Sequence, residues 1–104
     1  MKEITVQELK AKLDANEDFQ LIDVREQKEF DFVNINGELI PLGSVMDNID
    51  KFSKDKEVIV MCRSGARSGK VVDALKAKGF NNLANLKGGI LAWAREIDTT
   101  LPTY

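Results

Sequence analysis

The chain has 104 residues, 15 basic against 17 acidic, a formal net charge of −2, one cysteine and no histidine. Leu, Ile, Val and Phe make up close to a third of it, well above the ~20% below which disorder is the better expectation. Collagen-like, low-complexity and disulfide-scaffold classes are therefore excluded, and one domain spanning residues 1–104 with one core is expected.

The first element is a helix opened by Thr5-Val6-Gln7-Glu8, which has the spacing of a capping box, with Val6, Leu9 and Leu13 as its apolar face. Phe19 to Val24 reads as a buried strand, Glu26 to Phe32 as a short polar helix, and Leu39 to Leu42 as a weak strand with Pro41 near its end. Ser44 is placed to cap a helix reaching Phe52, with Val45, Ile49 and Phe52 at helical spacing. Glu57 to Met61 is the clearest strand, β-branched and continuously apolar, as in a sheet covered on both faces. A turn over Cys62 to Gly65 leads into a helix from Ala66 to Lys78, which carries Val71, Val72 and Leu75 inward and stops at Gly79. Leu83 to Leu86 is another short strand, and Gly88-Gly89 opens a last helix bearing Leu91, Trp93, Ala94 and Ile97. This alternation predicts an α/β domain with a mostly parallel sheet.

Charge and composition also narrow the partners. A chain that neutralises many phosphates needs a basic surplus, so nucleic acid is not expected to bind. No polybasic run marks a membrane-surface patch, and the longest apolar stretch, Val58 to Cys62, is far below the ~20 residues that span a bilayer. The opening Met-Lys-Glu-Ile-Thr lacks a signal-peptide core, so a cytoplasmic monomer is the expectation. Without histidine there is no imidazole base or ligand, and one cysteine makes neither a disulfide nor a Cys-rich zinc site. A single cytosolic cysteine is either an inert buried hydrophobe or a nucleophile, and its neighbours must decide.

Those neighbours point to chemistry. In a parallel α/β sheet, ligands sit outside the carboxyl ends of strands, which is where Cys62 falls. The unpaired N–H groups of the turn and first helical turn make an anion cradle, reinforced by the positive end of the helix dipole. Gly65 supplies the permissive backbone for it. Arg63, Arg67 and Lys70 follow closely, with no acid between Cys62 and Gly69, in a chain that is otherwise slightly acidic. Cations and a helix N-terminus stabilise a thiolate, which attacks at neutral pH without a histidine.

The segment Cys62-Arg63-Ser64-Gly65-Ala66-Arg67-Ser68 resembles the active-site loop of the rhodanese sulfurtransferases. Leu21-Ile22-Asp23-Val24-Arg25-Glu26, followed by Glu29-Phe30, is similar to the family's N-terminal signature, and Gly88-Gly89-Ile90-Leu91-Ala92-Trp93 to its C-terminal one. The resemblance runs from Ile4 to Pro102. It implies a rhodanese-like domain, a five-stranded mostly parallel sheet with helices on both faces. It implies transfer of sulfane sulfur from thiosulfate or a similar anionic donor to a thiol or protein acceptor through a Cys62 persulfide. Backbone N–H groups from Arg63 through Ser64, Gly65, Ala66 and Arg67 to Ser68 would hold the anionic persulfide, and Arg63 and Arg67 would orient the donor. No metal or organic cofactor is implied.

The chain departs from the family where a His-Ile-Pro-Gly-Ala stretch is common, carrying Asn34-Ile35-Asn36-Gly37-Glu38 instead. We read Asn34 and Asn36 as turn residues that reshape the rim. Asp23, Arg25 and Glu29 read as a polar network fixing the strand-to-helix turn, Trp93 as core, and Gly88 and Gly89 as places of close backbone approach. Two rival functions remain at this point. One is a non-catalytic rhodanese-like module used for binding or regulation. The other is a phosphatase or arsenate reductase of related fold, whose loops are one residue longer than the four-residue spacing between Cys62 and Arg67.

Overall fold

The computed structural model describes residues 1–104. In chain order the elements are β1 (Glu3–Ile4), α1 (Val6–Asp14), β2 (Phe19–Asp23), α2 (Gln27–Phe32), β3 (Glu38–Leu39), two 3-10 segments (Leu42–Ser44 and Met46–Lys51), β4 (Glu57–Met61), α3 (Ala66–Ala77), β5 (Leu83–Leu86) and α4 (Gly89–Glu96). The five strands form one sheet in the order β1-β5-β4-β2-β3, and every neighbouring pair is parallel.

The central strand is β4, and its position explains its composition. It pairs with β2 through all five of its residues and with β5 through Val58, Ile59 and Val60, so both faces need apolar cover. Val58, Val60 and Cys62 face one core with Ile22, Val71, Val72 and Leu75. Ile59 and Met61 face the other with Val6, Leu9, Ile90 and Trp93. The period of two thus sends alternate residues to the α3 side and to the α1/α4 side.

Helix α1 begins as its sequence predicts. Thr5 Oγ1 accepts from Glu8 N at 3.1 Å, and Glu8 Oε1 accepts from Thr5 N at 3.0 Å. Its apolar face is narrower than the spacing suggests, because Val6 and Leu9 are buried while Leu13 is exposed.

Three segments differ from the sequence reading. The helix expected from Ser44 to Phe52 is replaced by the 3-10 segments Leu42–Ser44 and Met46–Lys51, the second of them broken at Asn48, whose φ is −127°. The cause is local: Asn48 Nδ2 donates to Ser44 O at 2.7 Å, while Asn48 N bonds back only to Val45 O. The side chain occupies the carbonyl that an α-helical N–H would use. Val45 and Phe52 are nonetheless buried, and Ile49 packs against the same core. The strand expected over Leu39 to Leu42 is confined to Glu38–Leu39. Beyond it Ile40 N and Leu42 N still donate to Asp23 O and Val24 O, but the stretch around Pro41 leaves the regular ladder and enters the Leu42–Ser44 turn. The edge strand β1, two residues long, carries too short a pattern to read from sequence alone.

Candidate active site

Every strand of a parallel sheet points its carboxyl end the same way, and β4 delivers Cys62 there, 1% exposed. The chain then turns through Arg63 and Ser64 to Gly65. Gly65 has φ +106°, a left-handed conformation that favours glycine, and it opens α3. That turn folds the loop back on the sulfur. Gly65 N donates to Cys62 Sγ at 3.1 Å, and Ser68 Oγ lies 3.3 Å from it. The first turn of α3 adds the positive end of a 12-residue helix.

Burial pushes the Cys62 thiol up. Hydrogen bonds from the Ser68 hydroxyl and from the backbone N–H groups of Ser68, Gly65 and Ser64 outweigh it, and the net shift is downward. The Coulombic interaction with Arg67 is a smaller contribution, visible on the arginine. Thiolate is therefore present above a lowered midpoint and is lost as pH falls through that midpoint. Alkylation of Cys62, followed from about pH 4 to 10, should show a lower midpoint in the folded protein than in the same chain unfolded in denaturant. A folded midpoint at or above the unfolded one would mean that the cradle does not activate the thiol.

The two arginines of the loop have different surroundings. Arg67 Nη1 and Nη2 donate to Glu29 Oε1 and Oε2 at 2.8 and 3.0 Å, a two-point pair linking α3 to α2. Chiefly through that contact, the Glu29 carboxyl is lowered to about 2, and the Arg67 guanidinium is raised well above its ordinary value. Arg63 stacks over the Tyr104 ring, 5.0 Å from its centroid, and its Nη2 donates to the Tyr104 backbone oxygen. Its Nε is buried and has no partner within the chain.

Tyr104 joins these groups. Its hydroxyl donates to Glu29 Oε2 at 2.6 Å and accepts from Arg25 Nη1 at 3.0 Å. Arg25 is fully buried, with Nε and Nη2 on the Asp23 carboxylate and Nη2 also on Val33 O at 2.8 Å. Asp23 and Arg25 thus fix the strand-to-helix turn, as the sequence suggests. Glu29 does more than that reading holds, because its carboxylate reaches the loop.

Helix α4 braces the loop from the other side of the sheet. Ile90 N donates to Cys62 O at 3.0 Å, and Leu91 N to Arg63 O at 3.1 Å. A side chain at Gly89, whose φ is +58°, would place its Cβ 2.5 Å from both carbonyl oxygens. Gly89→Ala must therefore push α4 off the loop. We expect a loss of about 1–3 kcal/mol from overpacking alone, read as a lower urea midpoint, together with slower Cys62 alkylation. Unchanged stability and reactivity would show that the contact tolerates a methyl group.

Sequence reading finds the loop and both glycines, but misses two neighbours. Asn85 is a buried polar residue in β5, and its signal is its polarity in an otherwise apolar strand. Tyr104 lies beyond the recognisable motifs and has no comparable signal. Asn34 and Asn36 are turn residues: Asn34 Oδ1 accepts from Asn36 N at 2.9 Å, and Asn36 has φ +66°. With Trp93 they line the largest groove, about 710 Å³, which none of the Cys62–Ser68 residues reaches.

The five-stranded parallel sheet carries its cysteine at the carboxyl end of the central strand, at the mouth of a tight loop that opens a helix. A family model of the rhodanese-like domain matches residues 5–96, and the chain belongs to that family. It is 35% identical over 96 residues to a protein of Allochromatium vinosum named "Sulfurtransferase", covering 91% of this chain and 90% of that one. It superposes on a rhodanese-like domain protein from Staphylococcus aureus with a TM-score of 0.85 at 38% identity, covering 100% of this chain and 99% of that one. It is also 36% identical, over 97% of its length, to a Mycobacterium tuberculosis protein named "Probable adenylyltransferase/sulfurtransferase MoeZ". There the chain spans only 26% of the relative.

Proposed function

We propose that the protein is a sulfurtransferase that moves sulfane sulfur from thiosulfate or a similar donor to a thiol or protein acceptor through a Cys62 persulfide. The observation that carries this reading is the pair of donors on Cys62 Sγ, Gly65 N–H and the Ser68 hydroxyl, within a loop that opens a helix. The Cys62 thiolate attacks the outer sulfur of thiosulfate. The S–S bond of the donor breaks, sulfite departs with the bonding pair, and the enzyme keeps the sulfur as an anionic persulfide. An acceptor thiolate then attacks that outer sulfur, and Cys62 leaves as thiolate. N–H groups of the loop from Arg63 to Ser68 hold the negative charge where it develops.

Four residues separate Cys62 from Arg67, which suits a cradle for one sulfur better than one for a tetrahedral phosphate. Retention of the cysteine with its hydrogen-bond donors favours catalysis over a purely binding module. Incubation with thiosulfate, followed by intact mass, should show one added sulfur atom and release of sulfite. The same protein should release no phosphate from aryl phosphates. Phosphatase turnover without sulfur uptake would overturn the reading.

Arg63 and Arg67 are proposed to orient the anionic donor, Arg63 through its unpartnered Nε and Arg67 while anchored on Glu29. Arg63→Ala and Arg67→Ala should each lower kcat/KM for thiosulfate by about 1–3 kcal/mol, the size of a lost charge-assisted contact. An uncharged alkyl persulfide donor should suffer less. Equal losses for both donors would assign the arginines to structure alone.

A further inference from the structure

Behind the cysteine, a buried polar chain leads away from the mouth. Ser68 is 0% exposed and Asn85 2%. Ser68 Oγ lies 3.3 Å from Cys62 Sγ and 2.5 Å from Asn85 Oδ1. The orientation of the Asn85 amide follows from its other neighbours. Gly65 O at 3.0 Å and Glu3 Oε2 at 3.2 Å accept hydrogen bonds, so the NH2 group faces them and the amide oxygen faces Ser68. Both Cys62 Sγ and Asn85 Oδ1 therefore compete for a single hydroxyl hydrogen.

The outcome of that competition depends on where the charge is. With Cys62 as a thiol, S–H donates to Ser68 Oγ, and the hydroxyl donates to Asn85. With a thiolate, the hydroxyl hydrogen is drawn to Sγ, which leaves two oxygens 2.5 Å apart with no hydrogen between them. With a persulfide, the charge moves to the outer sulfur, Sγ becomes a weak acceptor, and the hydrogen is free to return to Asn85. We propose that Asn85 is a positioning residue acting through Ser68: it takes the hydroxyl hydrogen whenever Sγ carries no charge, and so favours the thiol and the sulfur-loaded forms over the bare thiolate. The charged groups around this relay are Glu3 from β1, Arg67 from α3 with its partner Glu29 from α2, and Arg63 over Tyr104. None of them hydrogen-bonds Sγ or the Ser68 hydroxyl.

The sulfur-loading part rests on the persulfide reading above, whereas the titration part stands without it. The experiment compares wild type, Asn85→Ala, Ser68→Ala and the double variant. Asn85→Ala should move the alkylation midpoint of Cys62 down by about half to one pH unit, the worth of one hydrogen bond. Above the midpoint, where the unloaded enzyme is thiolate, it should lower the ratio of persulfide to unloaded enzyme at a fixed thiosulfate-to-sulfite ratio by about three- to tenfold, the same free energy. Ser68→Ala should move the midpoint up, and adding Asn85→Ala to it should change neither quantity further. A loosened loop would give the opposite sign, since lost N–H contacts raise the midpoint, and would act equally without Ser68. Either result overturns the proposal. A shifted midpoint without sulfur uptake in any variant would instead overturn the sulfurtransferase reading. Should Asn85→Ala not fold, the carbonyl carbon of the Asn85 side chain can be followed by NMR in the wild type. Its shift should track the Cys62 titration there and stay flat in Ser68→Ala; a flat wild-type response overturns the relay.

Discussion

Replacing Cys62 with serine should leave a folded protein that takes up no sulfur. The site is buried at 1% exposure, and a hydroxyl is smaller than a thiol, so no overpacking arises. The N–H of Gly65 and the hydroxyl of Ser68, which meet Sγ in the wild type, find an acceptor oxygen in its place. The chemistry does not survive the exchange. A serine hydroxyl is far less acidic than a thiol, so the same hydrogen-bond donors leave it un-ionised near neutral pH, and this is the only cysteine. Intact mass after thiosulfate should show no added sulfur, and sulfite release should fall to background, with thermal unfolding close to wild type. Sulfur uptake retained by Cys62→Ser would remove Cys62 from the mechanism.

The same loop shows how far the sequence can be read. β4 and its neighbours are legible because a strand covered on both faces is apolar without interruption, as Val58 to Met61 are. The capping box at Thr5 and Glu8 is legible because its two hydrogen bonds are local and need a fixed spacing. The stretch from Leu42 to Lys51 is misread for the opposite reason. Val45, Ile49 and Phe52 keep a helical period, but one side chain, Asn48, takes the carbonyl the helix needs. Periodicity records burial, and it is blind to that competition.

The candidate site divides in the same way. Cys62, Gly65 and Ser68 are consecutive enough that turn geometry brings them together. Glu29 is 38 residues from Arg67, and Asn85 is 17 from Ser68; only the parallel crossovers place them in contact. Resemblance identifies the loop, while the partners that set its electrostatics emerge from the order of strands.

Arg25→Ala should be the most damaging change to stability outside the hydrophobic core. Arg25 and Asp23 are both fully buried, 2.7 Å apart at their closest pair of atoms. Taking two charges out of water is costly, and the pair is tolerated because each satisfies the other. Removing the arginine leaves the Asp23 carboxylate buried without its partner, which costs about 3–5 kcal/mol. That is a large share of the ~5–15 kcal/mol that holds an ordinary domain together. The loss also spreads toward the loop. Arg25 donates to Val33 O, Glu29 O and the Tyr104 hydroxyl, so it ties down the middle and the C-terminal end of α2, the helix that presents Glu29 to Arg67. Urea unfolding should therefore show a sharply lower midpoint for Arg25→Ala, and Arg25→Lys should recover only part of it, because an ammonium cannot match the planar fork. Replacing both partners with apolar residues, Asp23→Leu with Arg25→Met, should cost less than Arg25→Ala alone, since no charge is then stranded. A double variant as unstable as the single one would show that the packing of Arg25, and not its charge, is what holds this turn.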